Sequence, residues 1–224
     1  MVQIKDIGIT KTVADDSDFL IMQTPLGETY NIKKVHLFAG LSSGGGNSIP
    51  AGAEINLTFS ADGDDKGIFY YFGSKAGTEV WGNPISKGVG ISCSGETNGS
   101  VEALVDRQES GFYLQSAANS WIKITLSKSL KCNYYSLRNR NYSGVACLRN
   151  WKLQGSGDGI TWIDLDVQQN NSSINDSSQW LSLPVTSQNQ VGYKIFRLLQ
   201  TGLDSSGYNF LCLGEIELYG ILLP

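Results

Sequence analysis

Residues 148–162 read LRNWKLQGSGDGITW, a pattern that predicts two short strands joined by a tight turn. Trp151, Leu153, Ile160 and Trp162 supply an apolar face for this hairpin. The glycines of 155–159 permit positive φ, and Asp158 between them supports a turn. Because tryptophans inside strand patterns usually fill a core, we expect Trp151 and Trp162, and likewise Trp121, to be buried.

The composition favours an all-β fold. The chain has 224 residues, of which 41% are hydrophobic, 17% are charged and 26 are glycine. Segments such as Ile55–Phe59, Trp121–Leu126 and Tyr193–Leu198 alternate with period two, and helical periodicity is scarce. We interpret the aromatic run Ile68–Phe72 as a buried strand. Short strands between turns, without intervening helices, predict a two-sheet sandwich or jelly roll.

Three changes of composition divide the chain. Residues 1–41 form an arm in which Phe19–Met22 and Thr29–Ile32 predict one hairpin, too small to bury much surface alone. Residues 42–55 are a Gly/Ser-rich linker. Residues 56–220 form the predicted jelly roll, and 221–224 a C-terminal tail. The arm is expected to be stabilised by partners or by copies of itself.

The chain from about residue 59 to residue 220 resembles the discoidin, or coagulation-factor type C, family and its galactose-binding-like relatives. The runs that carry the resemblance are Asp64–Gly73, Glu79–Pro84, Asn119–Ile124, Tyr135–Arg138, Leu148–Trp151, Gln154–Gly159, Phe196–Gly202 and Glu215–Gly220. The resemblance implies an eight-stranded jelly roll whose first and last strands are neighbours. It also implies binding loops at the opposite end and no catalytic apparatus, so the chain is not expected to be an enzyme.

The arm resembles the leading segments of phage tail-fibre proteins. The matching features are Asp15–Gln23, an acidic stretch that runs into an apolar strand, and Gly27–Ile32, a turn followed by a Thr-aromatic strand. In that family such segments dock a fibre to the virion and often trimerise. The resemblance implies partners among tail or baseplate proteins, a homotrimer, and a location in the virion tail after synthesis in the host cytoplasm.

Charge and cysteine content exclude other classes of function. The net charge is −4 and no basic stripe is present, so nucleic acid is not an expected partner. No apolar run approaches the roughly 20 residues needed to span a bilayer, so no membrane insertion is expected.

The four cysteines lack the CxxC spacing of a zinc site. We interpret them as free buried thiols, and a Cys132–Cys147 bridge is an open alternative.

Catalytic and metal-binding patterns are weak. The sole histidine, His36, lies in the arm, away from any cysteine, which argues against a nucleophile–base pair. Glu215 and Glu217 alternate with apolar residues, which indicates a solvated strand face rather than a glycosidase pair. Asp62, Asp64 and Asp65 are weak calcium candidates without EF-hand spacing, and a solvated turn is the preferred interpretation.

Two polar loops are the best candidates for ligand binding. The first contains Arg138, Arg140, Asn141 and Tyr142 within residues 138–144, and the second contains Tyr208 and Asn209 within residues 204–209. Arg, Asn and Tyr offer rigid contact area and hydrogen-bond donors, which suit carbohydrate or protein recognition. Ordinary polar loops remain the alternative. Trp180 has no assigned role, and Trp81 is expected to anchor a loop.

The leading hypothesis is a phage virion structural protein, a tail-fibre or baseplate-associated subunit. Its arm would dock to the virion, and its discoidin-like domain would bind a host-surface glycan or protein. The alternative is a non-viral carbohydrate- or protein-binding module. A glycan-processing enzyme is the third hypothesis, and no set of residues supports it.

Overall fold

A computed structural model describes residues 19–23, 29–33, 52–109, 111–142, 146–187 and 191–224. The chain divides into two compact units, residues 1–49 and 50–224. In the first unit, β1 (Phe19–Gln23) pairs antiparallel with β2 (Thr29–Lys33), as the hairpin prediction required. The rest of the predicted arm, including His36, and residues 42–51 of the predicted linker lie outside the described residues.

The second unit consists mainly of strands. Among the described residues of this unit, two 3₁₀ helices, Pro84–Lys87 and Val101–Val105, and one short α-helix lie between the strands. In chain order, the remaining elements are β3 (Ile55–Leu57), α1 (Ile68–Gly73), β4 (Gly90–Cys93), β5 (Thr97–Asn98), β6 (Phe112–Leu114), β7 (Trp121–Arg138), β8 (Trp151–Ser156), β9 (Ile163–Gln168), β10 (Trp180–Pro184), β11 (Tyr193–Gln200), β12 (Leu211–Leu213) and β13 (Glu215–Leu222). Within the described ranges no helix has the length and apolar character that crossing a membrane requires.

The 18-residue strand β7 organises the sandwich. Its first half pairs with β4 and β11, and β11 continues to β8 and β9. Its second half pairs with β13 and β10, and β13 continues to β3. The two halves of β7 therefore belong to two antiparallel layers, while β12, β6 and β5 form a separate small sheet.

A large apolar core forms from the inward-facing positions of these strands. The fully buried large side chains are Trp151, Tyr135, Tyr219, Phe112, Phe196, Ile68, Leu104, Leu114, Ile122, Ile124, Leu130 and Leu137. They come from β6, β7, β8, β11, β13, the α-helix and a 3₁₀ helix, so most elements contribute to one core. This arrangement confirms the predicted all-β jelly-roll sandwich.

The first and last strands of the sandwich are neighbours, as the resemblance implied. Ile55 of β3 lies opposite Leu222, near the end of β13. Leu222 in turn lies opposite Leu130 in the middle of β7, whereas Glu215 at the start of β13 lies opposite Arg138 at the end of β7. Strand β7 rises roughly 26 Å from Leu130 to Arg138. The loop after Arg138 therefore leaves from the end remote from both termini of the unit. The pairing begins one residue before the predicted bound of 56 and includes two residues of the predicted 221–224 tail.

The aromatic run Ile68–Phe72 forms helix α1, so the prediction of a buried strand there is wrong. The Glu217 carboxylate accepts hydrogen bonds from the backbone N–H groups of Phe69 at 2.9 Å and Tyr70 at 3.4 Å. These N–H groups belong to the first turn, which has no partner within the helix. A side chain from β13 therefore stabilises a helix that the local sequence does not specify.

The hairpin at 148–162 has a longer connection than predicted. The carboxylate of Asp158 accepts hydrogen bonds from the N–H groups of Ile160 and Thr161, which lower its pKa to about 2. This turn places Ile160 in solvent with 83% of its surface exposed, and β9 begins only at Ile163. Ile160 is therefore not part of the buried face.

Of the three tryptophans predicted to fill the core, only Trp151 is fully buried. Trp162 is half-buried outside a strand, and the Arg197 guanidinium lies 4.1 Å from its ring centroid. Trp121 is half-buried, with the Lys123 ammonium 5.5 Å from its ring. The prediction of core burial is wrong for these two rings, because long cationic side chains cover their outer faces instead of a second layer of the protein.

Candidate functional site

The two predicted loops meet at one open cleft, hereafter the Arg140 cleft. It comprises two adjoining cavities of about 250 and 370 Å³ that share Tyr113 and Arg140. The first cavity is also lined by Ala146, Ser206, Tyr208, Phe210 and Cys212, and the second by Asn98, Gly111, Asn141 and Tyr142. Arg140, Asn141 and Tyr142 of one predicted loop thus lie beside Tyr208 of the other.

The loop after β7 is fixed by backbone hydrogen bonds. The carbonyl of Arg140 accepts hydrogen bonds from the N–H groups of Tyr142 at 3.1 Å and Ser178 at 3.2 Å. The buried Asn139 side chain donates to the carbonyl of Asp176 at 2.9 Å. The segment that carries Arg140 is therefore held against the neighbouring polar segment 176–178.

The second loop closes around the buried carboxylate of Asp204. Its Oδ1 accepts hydrogen bonds from the N–H groups of Ser206 at 2.7 Å and Tyr208 at 3.2 Å, and its Oδ2 from that of Phe210 at 3.1 Å. The backbone N–H of Tyr208 is turned inward toward this carboxylate, whereas the Tyr208 side chain is 59% exposed. Asp204 therefore shapes the cleft without facing it.

Aromatic rings surround the Arg140 guanidinium. Its Cζ lies 4.7 Å from the ring centroid of Tyr113 and 4.9 Å from that of Tyr142. The Phe210 ring lies 6.0 Å from Tyr113 and 5.9 Å from Tyr208. Arg140 is the one charged side chain among the described residues that line the cleft. The cleft therefore offers aromatic faces together with a cationic hydrogen-bond donor.

Arg138 and Asn209 do not line this cleft. The Arg138 guanidinium donates to Glu109 at 2.6 Å, to Glu215 at 3.4 Å and to the carbonyl of Ser178 at 3.1 Å. The backbone N–H of Asn209 donates to the Ser116 hydroxyl at 3.1 Å. These contacts hold the loops in place, and the predicted binding roles of all six residues stay predictions.

Sequence reasoning missed Tyr113 and Phe210, which form the wall between the two loops. Tyr113 lies in β6 and Cys212 lies opposite it in β12, so a small separate sheet carries one side of the cleft. The segment Phe112–Leu114 has a buried–intermediate–buried pattern, which places the middle side chain on the outer face. The sequence Phe-Tyr-Leu has no alternation of polar and apolar residues, so nothing local indicated that its middle side chain faces outward.

Glu215 and Glu217 are buried, so the prediction of a solvated strand face is wrong. Burial raises the pKa of Glu215, which lies 3.4 Å from Arg138. Burial also raises the pKa of Glu217 to about 8, despite its hydrogen bonds from backbone N–H groups. Helix α1 and the 3₁₀ helix Val101–Val105 pack against this strand. The two glutamates are therefore buried although they alternate with apolar residues in the sequence.

The acidic turn near residue 64 has partners of its own. The Asp64 carboxylate accepts hydrogen bonds from the N–H and hydroxyl of Ser60 and from the N–H of Lys66. Asp65 pairs with Arg107, and Asp62 accepts a hydrogen bond from Ser182. The part of the chain that the structure describes holds no group of three acidic, His or Cys side chains arranged for a metal ion.

The four cysteines are free thiols, so the alternative of a Cys132–Cys147 bridge is not realised. Cys93 is half-buried, whereas the other three are buried. Burial raises the pKa of Cys132 to about 12 and that of Cys212 to about 11. Cys212 at the floor of the Arg140 cleft is therefore a neutral, apolar surface.

No protein-family model matches the chain. A BTB/POZ domain-containing protein of Arabidopsis thaliana is 32% identical over 179 residues, which cover 73% of this chain and 22% of that protein. The E3 ubiquitin-protein ligase Ufd4 of Drosophila melanogaster is 31% identical over 173 residues, covering 73% of this chain and 6% of the ligase. The chain thus spans less than a quarter of these curated relatives.

Several solved structures are similar to the sandwich. A Clostridium perfringens module, CBM32-5, in complex with GalNAc-β-1,3-galactose, covers 59% of this chain and 95% of its own, with 15% identity and a TM-score of 0.49. The family 32 carbohydrate-binding module of C. perfringens NanJ, in complex with galactose, covers 58% and 93%, with 11% identity and a TM-score of 0.45.

Proposed function

We propose that the unit at residues 50–224 is a binding module that holds a saccharide in the Arg140 cleft without transforming it. The observation that carries this proposal is the Arg140 guanidinium beside two tyrosine rings in an open cleft of a few hundred Å³. Aromatic faces stack on the C–H groups of a sugar, while Arg140 and Asn141 supply donors for its oxygens. Affinity should be weak, near millimolar, or roughly −4 kcal/mol per site.

A glycan microarray probed with the full chain, followed by NMR titration of each hit, tests this proposal. Replacing the exposed Tyr142 or Tyr208 with alanine should weaken binding at least tenfold, because each change removes a stacking face. The control is Ile160→Ala, which removes an exposed apolar side chain outside the cleft. The proposal is wrong if no glycan binds, or if both tyrosine variants bind as tightly as the parent chain.

We further propose that residues 1–41 attach this module to a phage tail and assemble it as a trimer in the virion. Support comes from the acidic-apolar and Thr-aromatic segments, whose described parts form the paired strands β1 and β2 within a compact unit of their own. Three modules on one fibre would raise avidity by a factor of about 10² if their receptors are close enough. Removing residues 1–46 should yield a monomer in light scattering, and retention of the native oligomer would contradict the arm's role.

A non-viral binding module is the second candidate. The observation that favours it is the similarity to two long eukaryotic proteins, of which one is a ubiquitin ligase. In this case the Arg140 cleft would take either a carbohydrate or a protein segment, and only the protein-binding form would leave the microarray negative. Tail and baseplate genes on both sides of the coding sequence would instead support the virion hypothesis.

A further inference from the structure

Arg140 differs from the other four arginines of the chain in its partners. Arg107, Arg138, Arg149 and Arg197 each donate side-chain hydrogen bonds to a carboxylate, an amide or a carbonyl oxygen. The Arg140 guanidinium has no hydrogen-bond or ion-pair partner among the described residues, and its Nε is buried. A buried donor without an acceptor is destabilising, and more so if it is charged.

The acidic groups close to the cleft have other partners. Glu109 accepts from Arg138 at 2.6 Å and from the Asn141 amide at 3.4 Å. The oxygens of Asp204 accept backbone N–H groups of its own loop. The carboxylates of Glu109 and Asp204 are therefore directed to other partners, and neither forms an ion pair with the Arg140 guanidinium.

We infer that the Arg140 cleft takes an acidic saccharide, whose oxyanion accepts hydrogen bonds from the Arg140 guanidinium. This inference rests on the proposed function and names the class of sugar. The contacts with Tyr113 and Tyr142 restrict the guanidinium before binding, so less side-chain entropy is lost when the ion pair forms. The sugar ring would then lie against the exposed ring of Tyr208 or Tyr142.

Two kinds of sugar carry the required oxyanion. A uronic acid presents a planar carboxylate, which matches the fork of a guanidinium in a bidentate pair. A sulfated sugar presents a tetrahedral group with similar acceptor oxygens. Both would compensate the charge of the guanidinium, whereas a neutral sugar offers only hydroxyl groups.

NMR titration of the full chain with matched methyl glycosides tests the inference. The probes are glucuronate with glucose, galacturonate with galactose, and the 6-sulfates of both neutral sugars. We expect a uronate or a sulfate to bind at least tenfold more tightly than its neutral counterpart, and this preference to shrink as salt is raised. If the uronates bind more tightly than the sulfates, the oxyanion is a carboxylate, and the reverse order identifies a sulfate.

Variants connect the preference to Arg140. Arg140→Gln should abolish the preference for the acidic sugar, and Arg140→Lys should weaken it because the fork is lost. Lys123→Gln removes the same charge outside the cleft and should leave the preference intact. Dispersed amide spectra establish that each variant is folded.

The outcomes separate the inference from the proposed function. Equal affinity for acidic and neutral sugars, with shifts at Tyr113, Tyr142 and Tyr208, overturns the inference and leaves the saccharide site in place. A preference that survives Arg140→Gln also overturns it. If no glycan of the microarray and no methyl glycoside shifts the resonances of the cleft, both the inference and the proposed function are wrong.

Discussion

The carboxylate of Glu217 accepts a hydrogen bond from the backbone N–H of Phe69 at 2.9 Å, across 148 positions of the sequence. This contact joins the last strand of the sandwich to its one described α-helix. The carboxylate is buried, so the contact is coupled to protonation as well as to packing. Its consequences can be measured through the pH dependence of stability.

The buried carboxylate of Glu217 should make the sandwich less stable as pH rises. Its pKa is about 8 in the folded chain, against an ordinary value of 4.5. The stability that its proton contributes is complete below pH 4.5 and is lost as pH rises towards 8, by a few kcal/mol. Glu217→Gln should reduce this slope in urea titrations at several pH values.

Glu54→Gln is the matched control for that experiment, because Glu54 is an exposed carboxylate that pairs with Lys131 at 3.2 Å. This variant should keep the pH slope of the parent chain. A parent chain and a Glu217→Gln variant with the same slope would show that the Glu217 carboxylate is not protonated near neutrality.

Gly220→Ala should destabilise the sandwich by several kcal/mol. Gly220 has φ +146° at a register shift between β13 and β7, and a Cβ atom there would lie 2.0 Å from the carbonyl oxygen of Lys131. Neither backbone can move without breaking the sheet.

Gly77→Ala is the control, because Gly77 also has positive φ but has open space around it. This change should cost about 1 kcal/mol of unfolding free energy. Chemical denaturation compares the two, and similar losses would contradict the steric argument.

Tyr135→Phe should cost about 1–3 kcal/mol of unfolding free energy. The buried Tyr135 hydroxyl donates to Asp166 at 2.7 Å and accepts from the Trp151 indole N–H at 3.0 Å, so its removal leaves the indole donor without an acceptor. Tyr134→Phe should have a smaller effect, because the Tyr134 hydroxyl makes only a 3.5 Å contact with the carbonyl of Ser182. Equal losses would count against the buried network.

One thiol should react rapidly with a disulfide reagent in the native chain, and four in denaturant. Cys93 is half-buried, while Cys132, Cys147 and Cys212 are buried and shielded from the reagent. Cys93→Ser should remove the rapid phase. Rapid reaction of two or more thiols in the native state would mean that the core opens far more readily than its packing implies.

The sandwich could be predicted because most core positions lie in strands whose sequence alternates between apolar and polar residues. In these strands the apolar positions are the buried ones. Ile122 and Ile124 of β7, and Phe196 and Leu198 of β11, are examples. Helix α1 escaped prediction because an apolar run of five residues fits a strand or a buried helix equally well. The residue that decides between them, Glu217, lies far away in sequence.

The cleft was predicted only in part. Arg140, Tyr142 and Tyr208 stood out because their loops concentrate Arg, Asn and Tyr, which offer rigid contact area and hydrogen-bond donors. That the two loops would meet at Tyr113 and Phe210 depends on the pairing of β6 with β12, which is a long-range contact without a local signal. The same limit applies to Arg138, whose ion pairs are with Glu109 and Glu215, both distant from it in sequence.

The adjacency of β3 and β13 brings the entry and exit of residues 50–224 to one place. A domain built in this way can be spliced into a surface turn of another protein without stretching its host. It can also be circularly permuted, with Ile55 joined to Leu222 by a short peptide and new ends opened at the exposed turn around Ile160. Such a permutant would retain every strand pairing of the sandwich, so the module can be moved from one host protein to another by design.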